Sequence, residues 1–354
     1  MTPQEMKTFI SAAVADLGFT QFGISSLNRP LSFEFYRQWL TEGLHGDMGY
    51  LAEHADIKET PQQKWPRARS ALVLAMPYYP HPEKLPAFPL RQARISLYAQ
   101  GADYHMWFKE RMAQLCAKLQ EIFPDEEFLP MTDSSPVLER DLAKRAGLGW
   151  VGKNTCLIDP KKGSLFFIGE IYSSLPWQDE FAPVPDFCGT CTRCIDICPT
   201  GALIEPRKMD ARKCISYLTI ESRKVPEEKL RSQIGDWFFG CDLCQTVCPW
   251  NQKVFKGQLS TEKSLALSSA EENFLLADLK YILTSSGKRL GKDFLGTPLA
   301  RAGSFGLKRN ALIVIANRNL QDLKQEVADL KEHEKLGELA MWTYQQLELK
   351  AELL

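Results

Sequence analysis

Ten cysteines punctuate this 354-residue sequence, and eight of them have spacings suited to iron rather than to disulfides. Cys188, Cys191, Cys194 and Cys198, followed by Pro199, form C-x2-C-x2-C-x3-C-P, the run by which bacterial ferredoxins wrap a 4Fe-4S cubane. The first three thiolates lie on one tight loop, and the fourth points to a different cluster. A partner set exists in Cys241, Cys244 and Cys248 before Pro249, but Phe238 stands where a further cysteine would complete it. Cys214, isolated in DARKCISYL, supplies the missing thiolate from a longer loop. Crossing the two motifs predicts one cluster on Cys188, Cys191, Cys194 and Cys248, and a second on Cys198, Cys214, Cys241 and Cys244. Structural zinc favours two C-x2-C knuckles well apart over a compact run ending in Cys-Pro. Cys116 and Cys156 read as core thiols.

Such clusters move single electrons, and the rest of the chain must position whatever those electrons reduce. Lys and Arg (43) nearly balance Asp and Glu (44), so any contact with nucleic acid must come from a local patch. The N-terminal stretch lacks a basic, then apolar, leader and reads as a helix. Thr2 and Glu5 form a capping box, Pro3 takes the first turn, and Met6, Phe9, Ile10, Ala13, Val14 and Leu17 make one apolar stripe before Gly18. The longest apolar runs are far shorter than the roughly 20 residues of a membrane span, so a cytoplasmic protein with reduced thiols is expected. Residues 1–175 mix helical and strand patterns, with 68–76 and 164–172 as buried strands. A Pro-rich link at 175–187 opens a cysteine-rich unit at 176–253, and 254–354 reads as all-helical, with 306–317 and 322–354 as its main helices.

The densest sequence outside the cysteines is TDSSPVLERDLAKRAGLGWVGKNTCLI at 132–158. It holds a carboxylate, Ser135 and Pro136 as the start of a helix, and closely spaced Gly147, Gly149 and Gly152. On those residues alone, Asp133 is most simply a helix cap. Taken with DYH at 103–105, GSLFFIGEI at 163–171, CISYLTIE at 214–221 and IGDWFFGCDLCQTVCPWN at 234–251, however, the stretch strongly resembles the epoxyqueuosine reductase family across most of the chain.

The resemblance implies an α+β protein: a nitroreductase-like α/β cobalamin domain, a ferredoxin-like two-cluster domain and a small all-α, HEAT-like C-terminal region. It implies reduction of the epoxide of epoxyqueuosine, at the wobble position of tRNA, to the alkene of queuosine, with cobalamin and two 4Fe-4S clusters as cofactors. Asp133 falls on the family's proton donor, and a helix starting at Ser135 would favour its ionised form. Cobalamin would lie against Leu97, Asp133, Ile158 and Ile168, with Ser216 and Asp242 beside cluster ligands. No D-x-H-x-x-G motif is present to supply a histidine ligand to cobalt, Leu97 replaces the family's usual arginine, and Lys153 and Asn154 are candidates for corrin amides or phosphate. For tRNA the candidates are Arg223, Lys224, Lys288, Arg289, Lys292, Arg301, Lys308 and Arg309, which could track phosphates or simply face solvent. An unidentified low-potential electron donor, no membrane contact and a monomeric state complete the expectation. The rivals are a reductive dehalogenase-like enzyme, expected to carry a twin-arginine signal, and a plain electron carrier, which needs no substrate pocket.

Overall fold

The structure is a computed structural model that describes residues 3–80, 89–177 and 184–352; Thr2, the expected N-cap, lies outside them. Ten strands run through the described residues: β1 Gln21–Ser26, β2 Ser70–Pro77, β3 Arg94–Ile95, β4 Phe128–Met131, β5 Trp150–Val151, β6 Leu157–Ile158, β7 Phe166–Ser173, β8 Leu203–Glu205, β9 Lys208–Met209 and β10 Trp237–Phe239. Four form an antiparallel sheet in the order β1-β2-β7-β4, with Leu72 opposite Ile171 and Met131 opposite Glu170. The two expected strands are thus its central pair, because near-continuous runs of apolar residues suit strands covered on both faces.

Alternation along these strands builds two cores. Leu72, Leu74, Met76, Phe167 and Ile171 face the helices Pro3–Asp16 and Tyr104–Ile122, where Ile10, Ala13 and Val14 from the N-terminal stripe and Phe108, Met112 and Leu115 are buried. On the other face Val73, Ala75, Phe166 and Tyr172 pack with Leu142 and Ala143 of the helix Glu139–Arg145. Gly169 is required here: a Cβ would come within 2.7 Å of Met112 Sδ and of Phe108 Cε1.

A third core joins the cysteine-rich unit to the helices beyond it. Ile215, Leu218, Phe238 and Phe239 share it with Leu279, Leu290, Leu312, Ile315, Leu339 and Leu347. The helix Gly303–Arg318 lies at its centre and is covered nearly all round, with Leu307 and every residue from Arg309 to Ala316 buried. The composition changes near 254, but the packing runs straight across it.

Candidate functional site

The short helices Arg193–Ile197 and Leu243–Thr246 pack together and carry the two cysteine runs. Cys198 ends the first, Cys248 caps the helix Pro249–Val254, and Cys214 caps the helix Ile215–Ile220. All ten cysteines are free thiols. Cys194 lies within electrostatic reach of Cys248, Cys188 and Cys191, whereas Cys241 interacts with Cys214 and Cys198, and Cys244 with Cys156, Cys241 and Cys214. Phe238 is wholly buried in β10, which pairs with β3, so that position is core and not a ligand slot. Burial pushes the thiols of Cys214, Cys241 and Cys244 upward, and bare thiolates crowded so closely would repel. Cationic iron removes both penalties, so the donor set fits two cubanes. The indole of Trp150 donates to Cys188 Sγ at 3.4 Å, and the backbone N–H of Ala202 donates to Cys198 Sγ at 3.3 Å.

Lys153, a candidate for corrin amides or phosphate, has another partner: its ammonium donates to the carbonyls of Gly189 (2.7 Å) and Cys191 (2.9 Å), clamping the first cysteine loop. Asn154 donates to the carbonyl of Cys244 at 3.1 Å, so adjacent residues brace both runs. Cys156 is close to both cysteine sets rather than in ordinary apolar core, and burial pushes its thiol up to about 12.

Asp133 follows β4 and meets the N-terminus of the helix Tyr104–Ile122. His105 Nε2 lies 2.9 Å from Asp133 Oδ1, and the Tyr104 hydroxyl donates to Asp133 Oδ2. Asp103 caps that helix and holds His105 Nδ1 at 2.7 Å from behind. Hydrogen bonds to Asp103 first and Asp133 second push the imidazole up to about 10, so His105 is a cation at neutral pH. The helix expected at Ser135 instead starts at Glu139. Residues 132–137 turn back on themselves, with the N–H of Ser135 on the carbonyl of Thr132 (2.7 Å) and that of Val137 on Ser135 (2.8 Å). Asp133 therefore faces an imidazolium and a phenol at the start of the helix Tyr104–Ile122 rather than the terminus of the helix that follows it.

Aromatic rings lead from this carboxylate towards the second cysteine set. Tyr104 stacks on Phe167 (4.2 Å between centroids), Phe167 touches Tyr78 (5.1 Å), and Tyr98 stands between Tyr104 and Tyr78 at 6.2 and 6.4 Å. The Tyr78 hydroxyl reaches Gln245, between Cys244 and Cys248. Asp242 is buried and accepts from the N–H of Leu97 at 2.7 Å; desolvation pushes its carboxyl up to about 6, against the pull of that bond. Leu97 and Asp242 are thus brought together, and half-buried Ser216 sits in the first turn after Cys214. Leu97, Ile158 and Ile168 pack against three different apolar clusters, Ile158 beside Trp150 and Cys248. What is brought together, Leu97 and Asp242 with the rings of Tyr78, Tyr98 and Tyr104, is an apolar and aromatic surface with a polar end, which would suit a large macrocycle with a polar rim.

The basic candidates divide. Arg223 donates to the carbonyls of Ala302 and Arg301 (both 3.0 Å), Arg301 forms a two-pronged pair with Glu221 (both 2.9 Å), and Lys224 pairs with Asp47 at 2.8 Å; all three are exposed. Tyr50, itself exposed, is within electrostatic reach of both Arg301 and Asp133, which puts this group at the mouth of the site. Lys288, Arg289 and Lys292 lie on the helix Gly287–Asp293, where Arg289 pairs with Asp293. Lys308 donates to the carbonyl of Leu283 at 2.8 Å. Arg309 must be withdrawn as a phosphate contact: it is fully buried and holds the carbonyls of Ser222 (2.6 Å) and Lys224 (3.0 Å). A Lys-Arg pair looks exposed in sequence, but this helix is surrounded on every side.

The sequence reading did not join Tyr104, His105, Tyr78 and Phe167 into one site. Only the polar triplet at 103–105 hinted at it, since contacts across a fold leave no spacing signal.

Comparison with known proteins agrees with this architecture. Residues 187–251 match the family described as 4Fe-4S double cluster binding domain, and residues 58–134 match that described as epoxyqueuosine reductase QueG, DUF1730. The epoxyqueuosine reductase of Xanthomonas campestris pv. campestris is 36% identical over 321 residues, covering 89% of this chain and 88% of its own. That of Escherichia coli (strain K12) is 34% identical over 336 residues, covering 94% and 86%. A crystal structure of selenomethionine-labeled epoxyqueuosine reductase superposes with a TM-score of 0.78 at 26% identity, covering 97% of this chain and 90% of its own. A second, of an epoxyqueuosine reductase with an epoxyqueuosine-modified tRNA-TYR stem loop, gives the same values. With a cysteine-rich unit that binds two 4Fe-4S clusters and this degree of likeness along nearly its whole length, the chain belongs to the epoxyqueuosine reductase family.

Proposed function

We propose that this oxidoreductase reduces epoxyqueuosine in tRNA to queuosine with Asp133 as proton donor. The two crossed cysteine sets would hold the clusters, and Leu97, Ile158, Ile168, Ser216 and Asp242 would contact cobalamin. The observation that carries the reading is the carboxylate of Asp133, held by His105 and Tyr104 one column of aromatic rings from the second cysteine set. Cobalamin, when bound, supplies a strongly reducing centre beside the carbon–oxygen bond. Asp133 protonates the oxygen as that bond breaks, which spares the release of a free alkoxide. Tyr104 and His105 then hydrogen-bond the carboxylate that remains. Cys188, Cys191 and Cys194 are half-buried beside exposed Phe187 and Arg193, so an external low-potential donor fits this end, with electrons passing inward to Cys198, Cys214, Cys241 and Cys244.

Tyr50, Arg223, Lys224 and Arg301 form the rim for RNA, an aromatic face among cations as single-stranded loops require. A single copy contains every residue named, which supports a monomer, and the tRNA substrate supports a cytoplasmic site. Among the described residues no helix is long and apolar enough to cross a membrane. The test is anaerobic reconstitution with iron, sulfide and cobalamin, addition of a low-potential reductant and epoxyqueuosine-containing tRNA, and mass analysis of the digested nucleosides. Queuosine is expected from the native chain, and a loss of about 100-fold or more in Asp133→Asn with unchanged cluster absorption. Full activity of that variant would remove Asp133 from the role.

A further inference from the structure

Behind Asp133, on the sheet face covered by the helix Glu139–Arg145, two carboxyl groups are buried where the mechanism so far gives them nothing to do. Glu170 occupies the middle of β7, opposite Val73 on β2 and Met131 on β4, with no exposed surface. Neither of its oxygens has a hydrogen-bond partner, and Glu139 Oε1 is likewise buried and unpartnered. Lys58 is a buried cation that acts on both glutamates, and its ammonium also donates to the carbonyl of Val137 at 3.1 Å. An ionised carboxylate without hydrogen bonds in such a place costs several kcal/mol, roughly, so evolution gains nothing structural from leaving two there. With one ammonium acting on both, burial drives at least one carboxyl to hold a proton.

Glu170 senses both Glu139 and Asp133, and Glu139 senses Asp133. Glu139 is pushed up to about 8, first by burial and then by the charge of Asp133, while Arg140, Lys58 and His105 oppose the rise. Glu170 is pushed well above the usual carboxylate range by burial, then by Glu139 and Asp133, again against Lys58. Tyr172, two residues along β7, is raised by burial and then by both glutamates. Electrostatic influence thus links Glu170, at the dry centre of the sheet, and Glu139 to Asp133.

We propose that Glu139 and Glu170 form an internal proton store that recharges Asp133 within a single turnover. The proposal rests on Asp133 being the proton donor and supplies what that role lacks. Converting an epoxide to an alkene breaks two carbon–oxygen bonds and consumes two electrons and two protons, with water released. A carboxyl group can hold only one proton at a time, so Asp133 must be reloaded between the two bond-breaking steps. Asp133 gives its proton to the oxygen as the first carbon–oxygen bond breaks. Glu139 then passes its own proton to the Asp133 carboxylate through a bridging water, since no direct hydrogen bond joins the two. Asp133 donates again as the second carbon–oxygen bond breaks and the oxygen leaves as water. Glu170 restores Glu139, and solvent restores the store after product release. Both electrons come from the low-potential donor through the clusters. Glu139 and Glu170 act through Asp133 and are positioning residues in this scheme.

Two measurements test it. Infrared difference spectra of the purified holoenzyme in H2O and D2O, without turnover, should show a protonated carboxyl band at neutral pH that is reduced in Glu170→Gln. Absence of that band in the native protein overturns the proposal whether or not any variant folds. In turnover with the epoxyqueuosine-modified stem loop and excess reductant, Glu139→Gln should lower kcat about 10- to 100-fold with KM for the RNA unchanged. The pH profile of kcat should also lose its limb near 8. Native kcat and pH profile in Glu139→Gln overturn the store while leaving Asp133 intact; an active Asp133→Asn overturns the underlying reading instead.

Discussion

Asp103 and Asp133 grip the two nitrogens of His105 from opposite sides, which turns an exposed-looking histidine into a fixed cation. Its proton NMR titration should have a midpoint near 10, and Asp103→Asn should bring it down towards the ordinary value of about 6.5. A midpoint already near 6.5 in the native protein would refute the bracket. The sign of the linkage follows from the direction of the shift. Because the folded imidazole binds its proton more tightly than the unfolded one, its contribution to stability is complete below about pH 6.5 and is lost as pH rises through about 10. The ring is 41% exposed, so solvent screening keeps that contribution small. At this scale the sequence was most legible where chemistry is local. The cysteine run carries its own spacing, but Asp133 and His105 are 28 positions apart and meet only because β4 ends beside the start of the helix Tyr104–Ile122. Glu139 and Glu170 left no signal, since a buried glutamate reads in sequence as an ordinary surface one.

The elements that carry these residues are held by polar clamps as much as by apolar burial. Asp278, buried on the helix Ser269–Thr284, accepts the backbone N–H groups of Arg91, Gln92 and Ala93 at 2.7 to 3.0 Å. Those residues lead into β3 and then into the turn Leu97–Ala99, so one carboxylate on a distant helix sets where Leu97 and Tyr98 enter the site. Asp278→Ala strands three backbone donors, and at about 1 kcal/mol or more each it should cost about 3 kcal/mol in urea unfolding. Asp278→Asn, which keeps an accepting oxygen, should recover part of the loss; an unfolding midpoint unchanged by the alanine would show the clamp to be idle. Elements with strong patterns were readable: 68–76 and 164–172 became β2 and β7, and the N-terminal stripe packs as expected. The helix start near Asp133 was not. Ser135-Pro136 has the form of a cap and first turn, but the chain spends it on a reverse turn and begins the helix three residues later.

For the whole molecule, the boundary expected near 254 is where composition changes, but the apolar core that contains Ile215 and Phe239 continues into Leu312 and Leu339. Sequence shows composition directly and packing only through folding, which is why the link was invisible there. Asn310, on the helix Gly303–Arg318, makes the connection specific. Its amide donates to the carbonyls of Thr219 (2.8 Å) and Phe238 (2.9 Å), one in the helix that Cys214 caps and the other in the strand that leads to Cys241. The C-terminal helices thereby brace two thiols of one cysteine set, while the loop of the other set is clamped by Lys153 from the sheet domain. Asn310→Ala would leave two buried carbonyls without donors, a cost of about 2 to 4 kcal/mol concentrated on that side. In the reconstituted enzyme this should appear as selective lability: under an iron chelator the cluster absorption should bleach in two phases, with only one phase accelerated over the native protein. Acceleration of both phases would mean that the substitution loosens the fold globally, and no acceleration would mean that the helical region merely accompanies the redox unit. A selective effect would show that a region with no chemistry of its own keeps the inner electron relay intact.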